Sequence, residues 1–355
     1  MKKKTGIIIG VVSAVVLIGG IIAAVSLLNK GDSYRVIKVM ETEGYSYVKR
    51  ENAGELDTYE GMTLQSGDAI HVDSNSSLIL MMDDDKVAYV EANTDLVLYA
   101  TGNERNSKTG IDLLNGAITC EVRKKLNSNS TYEINTPNST MAVRGTTVRA
   151  EVISYPVDLE NSVSIDEAIK TCGANELCAQ FDPAVRFAPK EVRKTKLILT
   201  RLSTLEGRAV AGTHSNAQYD LNGKSLMDYE TDISEGNEIY IASNDLGAKR
   251  ITDAVAINLK TFPKQAISNM LRILEESGKM IFGKKELSEL EDEKNEGPFT
   301  VYYIYNDTLF SVQENVTKGS KIAVPSLTPE KEGKWDVDFE NSTVESDVYV
   351  KWISK

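Results

Sequence analysis

The chain has 355 residues, 41% hydrophobic and 26% charged, a globular composition that excludes collagen-like and disordered classes. At roughly 150 residues per domain, the length predicts about two domains. Residues 1–28 hold Lys2, Lys3 and Lys4 and no acid, so the remainder carries 37 basic against 52 acidic residues, a net charge of −15. A body that acidic repels nucleic acid and anionic lipid, and two His and three Cys leave few candidates for His-dependent nucleophilic catalysis or a zinc site. No nucleic-acid partner, metal or cofactor is expected.

Residues 6–28 form an apolar run of 23 residues without charge. As a helix at about 1.5 Å per residue it reaches roughly 34 Å, enough to cross a hydrocarbon core of about 30 Å. A cleaved signal peptide, cut near Ala23-Ala24-Val25-Ser26, is the alternative, but its apolar stretch is usually shorter. The three lysines place residues 1–5 in the cytoplasm and everything after Asn29 outside. The expectation is a single-pass cell-membrane protein with its bulk extracytoplasmic. Disulfides then become possible, and Cys172 and Cys178 stand close enough to staple one short loop. Cys120 falls on the apolar face of Ile118-Thr119-Cys120-Glu121-Val122 and reads as a buried small hydrophobe.

From Tyr34 to about Ala242 the pattern is short alternating runs broken by Gly, Asn and Asp. Strands are predicted at Val36–Val39, Ala69–Val72, Leu78–Met81, Val87–Val90 and Leu96–Tyr99. Further strands follow at Gly116–Val122, Thr131–Ile134 and Thr147–Val152. The spacing is too short for intervening helices, so a sandwich, barrel or solenoid is expected. Gly67-Asp68 and Asn115-Gly116 read as turns that reverse the chain.

Three stretches together resemble a known family. Residues 61–70 (GMTLQSGDAI) resemble the G-x-x-L-x-x-G-D-x-I opening of the FecR domain, and residues 113–118 resemble its L-x-x-G turn. Residues 136–146 (TPNSTMAVRGT) resemble its most characteristic stretch, here Thr136, Pro137, Asn138, Val143, Arg144, Gly145 and Thr146. The resemblance implies an all-β domain outside the membrane; in the best-known members it passes a signal from an outer receptor to a cytoplasmic sigma factor. Physically the motif residues read as scaffold first. Arg144 invites either a carboxylate ligand or an internal bidentate pair with an acid, the second being favoured. Asp83-Asp84-Asp85 reads as a solvated hairpin tip, with Ca²⁺ chelation as the sharper alternative.

The family pattern continues to about residue 244, giving a FecR-like β domain over 34–244. An insertion at about 156–193 carries the Cys172–Cys178 loop and is a candidate recognition surface. A helical, acidic linker follows over 245–297. Pro263 opens a helix with Ile267, Met270, Leu271 and Leu274 on one face, and Gly278 stops it; the stripe is expected to pack on the β body. Residues 284–296 read as a solvated helix marking a boundary. Residues 298–355 resemble the internalin-type B repeat, a small β-grasp-like module with Trp335, Phe339 and Trp352 as its core.

The first functional reading is a non-enzymatic surface protein, held in the membrane through residues 6–28 and binding an envelope or surface protein or a wall polymer. The alternative is a sensor or regulatory component; five cytoplasmic residues cannot hold a sigma factor, so it would act through another membrane protein. An envelope hydrolase ranks last. His71 sits in a predicted strand and His214 in a polar loop, neither beside a nucleophile motif.

Overall fold

The computed structural model describes residues 35–51, 53–103, 105–158, 194–213, 229–244, 249–305 and 308–355. The candidate membrane segment, the Cys172–Cys178 loop and His214 lie outside the described residues. No described helix is long and apolar enough to cross a membrane.

Alternation of apolar and polar residues builds the strands. In chain order they are β1 (Ile37–Glu43), β2 (Ser46–Arg50), β3 (Gly54–Asp57), β4 (Thr63–Leu64), β5 (Ala69–Val72), β6 (Ser77–Met82), β7 (Lys86–Val90), β8 (Thr94–Thr101), β9 (Lys108–Val122), β10 (Thr131–Asn135), β11 (Thr140–Val143), β12 (Thr147–Asp158), β13 (Lys194–Glu206), β14 (Arg208–Thr213), β15 (Tyr229–Ser234), β16 (Asn237–Asn244), β17 (Lys249–Ile251) and β18 (Val255–Ala256). They form two layers. One runs β4-β1-β6-β7-β9-β12-β13-β16, with β17 and β18 along the edge of β16. The other runs β3-β2-β5-β8-β9-β10-β11-β14-β15, antiparallel except between β9 and β10.

Strand β9 belongs to both layers. Its first half pairs with β8 and its second half with β7 and β12, so the chain crosses and reverses at Gly116. There φ is +86°, and a Cβ would lie 2.5 Å from Thr94 Cα, so only glycine fits the close approach. The expected reversal at Asn115-Gly116 is thus an arch between layers rather than a hairpin within one. The inner faces bury one apolar cluster, including Val39, Leu80, Val90, Leu98, Ile111, Ile118, Ile134, Val148 and Leu202. The fold is mainly β, with sandwich layers joined by solenoid-like arches.

The outer face of the first layer is covered. A 3-10 turn (Leu259–Thr261) leads into α1 (Lys264–Ser277), which Gly278 ends at φ +69°. Ile267, Met270 and Leu271 pack on Val87, Tyr89 and Leu205, as the periodicity predicts. Helix α2 (Lys284–Glu296) adds Leu287 and Leu290 to the same cluster. After Gly297 come β19 (Phe299–Tyr305), β20 (Thr308–Val316), β21 (Gly333–Trp335) and β22 (Val348–Ser354), in the order β20-β19-β22-β21 with β19 and β22 parallel. Trp335 is buried edge-on to Tyr303 and Trp352, at centroid distances of 5.4 and 5.0 Å, and Phe339 packs on the same cluster.

Candidate functional site

The motif residues are scaffold. Gly67 turns at φ +94°, and Asp68 behind it is buried. Arg50 donates to the two Asp68 oxygens at 2.8 and 2.6 Å, while the Gln65 N–H donates to Oδ2 at 2.8 Å. Thr136 closes the β10–β11 turn by donating from its hydroxyl to Ser139 O at 3.1 Å, with Pro137 exposed at the tip. Asn138 reaches into the opposite layer. Its Oδ1 accepts from Thr200 Oγ1 at 2.7 Å, and its amide donates to Ile198 O at 3.3 Å. Val143 is core, Gly145 sits at φ +78°, and Thr146 O accepts the Val122 N–H at 3.0 Å.

Arg144 departs from expectation. It is exposed in the turn after β11, and among the described residues it has no ion pair, so the internal bidentate pair favoured by the sequence is absent. That role belongs to Arg149, five residues on. Two of the three acids at the β6–β7 tip are occupied by cations, Asp83 by Arg35 and Asp85 by the buried Lys86 at 2.5 Å, while Asp84 is exposed. Among the described residues no group of three potential metal ligands gathers.

Strand alternation puts Arg149 and Glu151 on the outer face of the first layer, in register with Ser203 and Arg201 on β13. Those two in turn face Glu238 and Tyr240 on β16. Such a face suits water, yet here it is buried. Arg149 and Arg201 are each 1% exposed. Arg149 donates from Nε and Nη2 to the two Glu91 oxygens, and from Nη1 to Glu151, each at 2.8 Å. Arg201 holds Glu238 the same way at 2.7 and 3.0 Å. Ser203 and Tyr240 hydroxyls also donate to Glu238, at 2.9 and 2.5 Å. The Phe262 ring lies against both guanidinium groups, 5.0 Å from Arg149 and 3.9 Å from Arg201. It is placed there by the 3-10 turn, whose Asn258 side chain accepts the Lys260 N–H.

The electrostatics follow. Burial pushes the Glu151 carboxyl up, but the Arg149 and Arg201 charges outweigh it and hold it below its ordinary range. Burial drives the Tyr240 phenol well up, with Glu238 adding and Arg201 opposing. The Cys120 thiol, fully buried as expected, is pushed up to about 12 by burial.

A cleft of about 1690 Å³ opens from this lattice toward the C-terminal module, lined among others by Arg149, Glu151, Phe262, Gln265, Tyr302 and Tyr349. Tyr302 and Tyr349 stack at 4.6 Å and 14°. On the same face of β22, Lys351 Nζ pairs with Asp73 at 2.6 Å and lies 3.5 Å from His71 Nε2. His71 Nδ1 meets Asp95 at 2.6 Å, so this histidine is a structural one. Arg149 spends its fork on Glu91. The sequence missed the lattice, although charged and hydroxyl side chains two residues apart on three neighbouring strands (149/151, 201/203 and 238/240) were its signal.

The FecR protein family profile matches residues 68–161. Residues 68–161 are a FecR domain. The match begins at Asp68, so the 61–67 part of the expected opening, and everything after residue 161, fall outside it. No curated protein matches the chain significantly. Two crystal structures from Parabacteroides distasonis ATCC 8503, each described as a candidate anti-sigma factor, are similar at a distance. One aligns at 12% identity over 63% of this chain and 88% of its own, with a TM-score of 0.32. The other aligns at 9% identity over 81% and 99%, with the same score. At that level they bear on neither fold nor function.

Proposed function

We propose that this is a non-enzymatic, membrane-anchored regulatory protein whose FecR domain and C-terminal module hold a protein partner outside the cytoplasm. The FecR match over residues 68–161 carries the reading, because the best-known members relay a signal across the envelope. It favours the regulatory alternative over the surface-adhesion reading that the sequence ranked first. The cleft between the FecR domain and the C-terminal module, which resembles a B repeat, is the proposed partner seat. Signal transfer would run through another membrane protein packed against residues 6–28, where Gly10, Ser13 and Gly20 permit close helix approach.

A photo-crosslinking residue at Asn269, a cleft-lining position, tests this in intact cells expressing the full chain. The expected product is a discrete adduct with an envelope or membrane protein. Recovery of wall polymer instead would restore the adhesion reading. A reporter fused after Lys355 that proved active in the cytosol would overturn the anchor.

A further inference from the structure

One end of the FecR domain gathers exposed cations. Strands β9 and β11 finish there, and β10 and β12 start there. Lys124 and Lys125 follow β9, and Arg144 follows β11; all three are exposed. They are neighbours, since a Cβ on Gly145 would lie 2.8 Å from Lys125 Cα. Arg105 in the adjacent β8–β9 connection and Lys108 at the start of β9 are also exposed, and this connection meets the same loop where the Thr131 N–H donates to Ser107 O at 2.8 Å. Among the described residues, Lys124, Lys125 and Arg144 have no ion pair. Exposed acids border the patch: Asp84 on the β6–β7 tip, Glu235, and Glu276, which pairs with Arg123 at 2.9 Å. In a chain whose body carries −15, Lys124, Lys125 and Arg144 form a local exposed cluster without an ion pair among the described residues.

The same end receives the chain. Arg35 lies there, donating to Lys108 O at 2.7 Å and to Thr109 Oγ1 at 2.9 Å. Six residues, 29–34, separate it from the apolar run, and six residues span at most about 20 Å when fully extended. At physiological salt the screening length is about 8 Å, so the distant acidic body does not cancel a local cationic surface.

We propose that this end, through Lys124, Lys125 and Arg144, docks onto anionic phospholipid headgroups and fixes the orientation of the FecR domain on the bilayer. This rests on the membrane-anchored reading of residues 6–28. It gives Arg144 a role that its packing does not supply, and each such cation near an anionic surface raises effective affinity about fivefold.

The test uses the full chain in nanodiscs of phosphatidylcholine alone or with phosphatidylglycerol, read by hydrogen exchange. Amides of residues 123–130 and 144–146 are expected to exchange several-fold more slowly in the anionic discs. That protection should vanish at high salt and in the Lys124→Glu, Lys125→Glu, Arg144→Glu variant, whose melting temperature stays unchanged because all three side chains are exposed. Equal exchange in both lipids, or protection that survives in the variant, overturns the proposal while leaving the anchor intact. Equal protection from soluble polyphosphate beside a neutral bilayer reassigns the surface to a soluble polyanion and overturns it too. A chain that enters neither disc overturns the anchor, and docking with it.

Discussion

Replacing Arg149 by Met leaves Glu91, 4% exposed, buried as a bare carboxylate, and removes one of the two cations beside Glu151. Breaking a buried ion pair from one side costs about 3–5 kcal/mol, and the lost contact with the Phe262 ring adds about 1 kcal/mol. For a chain of this size about 2 °C is lost per kcal/mol, so thermal melts of the full chain in detergent should fall by about 8–12 °C. The Arg149→Met, Glu91→Met double variant removes both charges and should recover more than half of that deficit. The pH dependence has a definite sign. In the natural chain Glu151 titrates below its unfolded value, so its contribution is present above the unfolded pKa and lost as pH falls through the depressed one. Without Arg149, burial dominates and raises the carboxyl, so the variant loses stability as pH rises through it; its deficit should be larger at pH 7 than at pH 5. A single-variant deficit under about 1 kcal/mol, or equal deficits in single and double variants, would refute this account of the lattice.

Glycine substitutions should separate backbone strain from steric clash. Gly116→Ala meets both a positive φ and Thr94, and should cost about 3 kcal/mol or more in urea unfolding. Gly67→Ala, with open space around it, should cost only about 1–2 kcal/mol. Cys120, fully buried, should resist alkylation until denaturant is added; labelling of the native chain at Cys120 would show that the sandwich opens. Lys351→Met breaks a partly exposed pair with Asp73 and should lower overall stability by less than about 1 kcal/mol. It should nonetheless speed proteolysis near residues 297–298 by loosening the C-terminal module.

Much of the fold is legible because burial on one face writes itself at period two. The runs at Leu78–Met81 and Val87–Val90 become β6 and β7 almost residue for residue, and the stripe from Ile267 to Leu274 becomes α1 on the face that it should cover. What the sequence hides is what covers each layer. Arg149 and Glu151 look like the wet side of an amphipathic strand, and only the later 259–277 segment turns them into interior groups. Arg144, singled out by its motif, sits exposed in a turn, without an ion pair among the described residues. The Gly116 arch was visible as a reversal, but local turn chemistry does not say which layer receives the next strand.

The attachment of β1 has a mechanical consequence. Its first residue, Ile37, pairs with both β4 and β6, and the pairing with β6 runs on to Glu43. A pull applied at Arg35 along the strand axis therefore loads this whole ladder in shear, and the hydrogen bonds must fail together instead of unzipping in turn. Tension arriving from the N-terminal side of Arg35 would meet its stiffest resistance at this ladder.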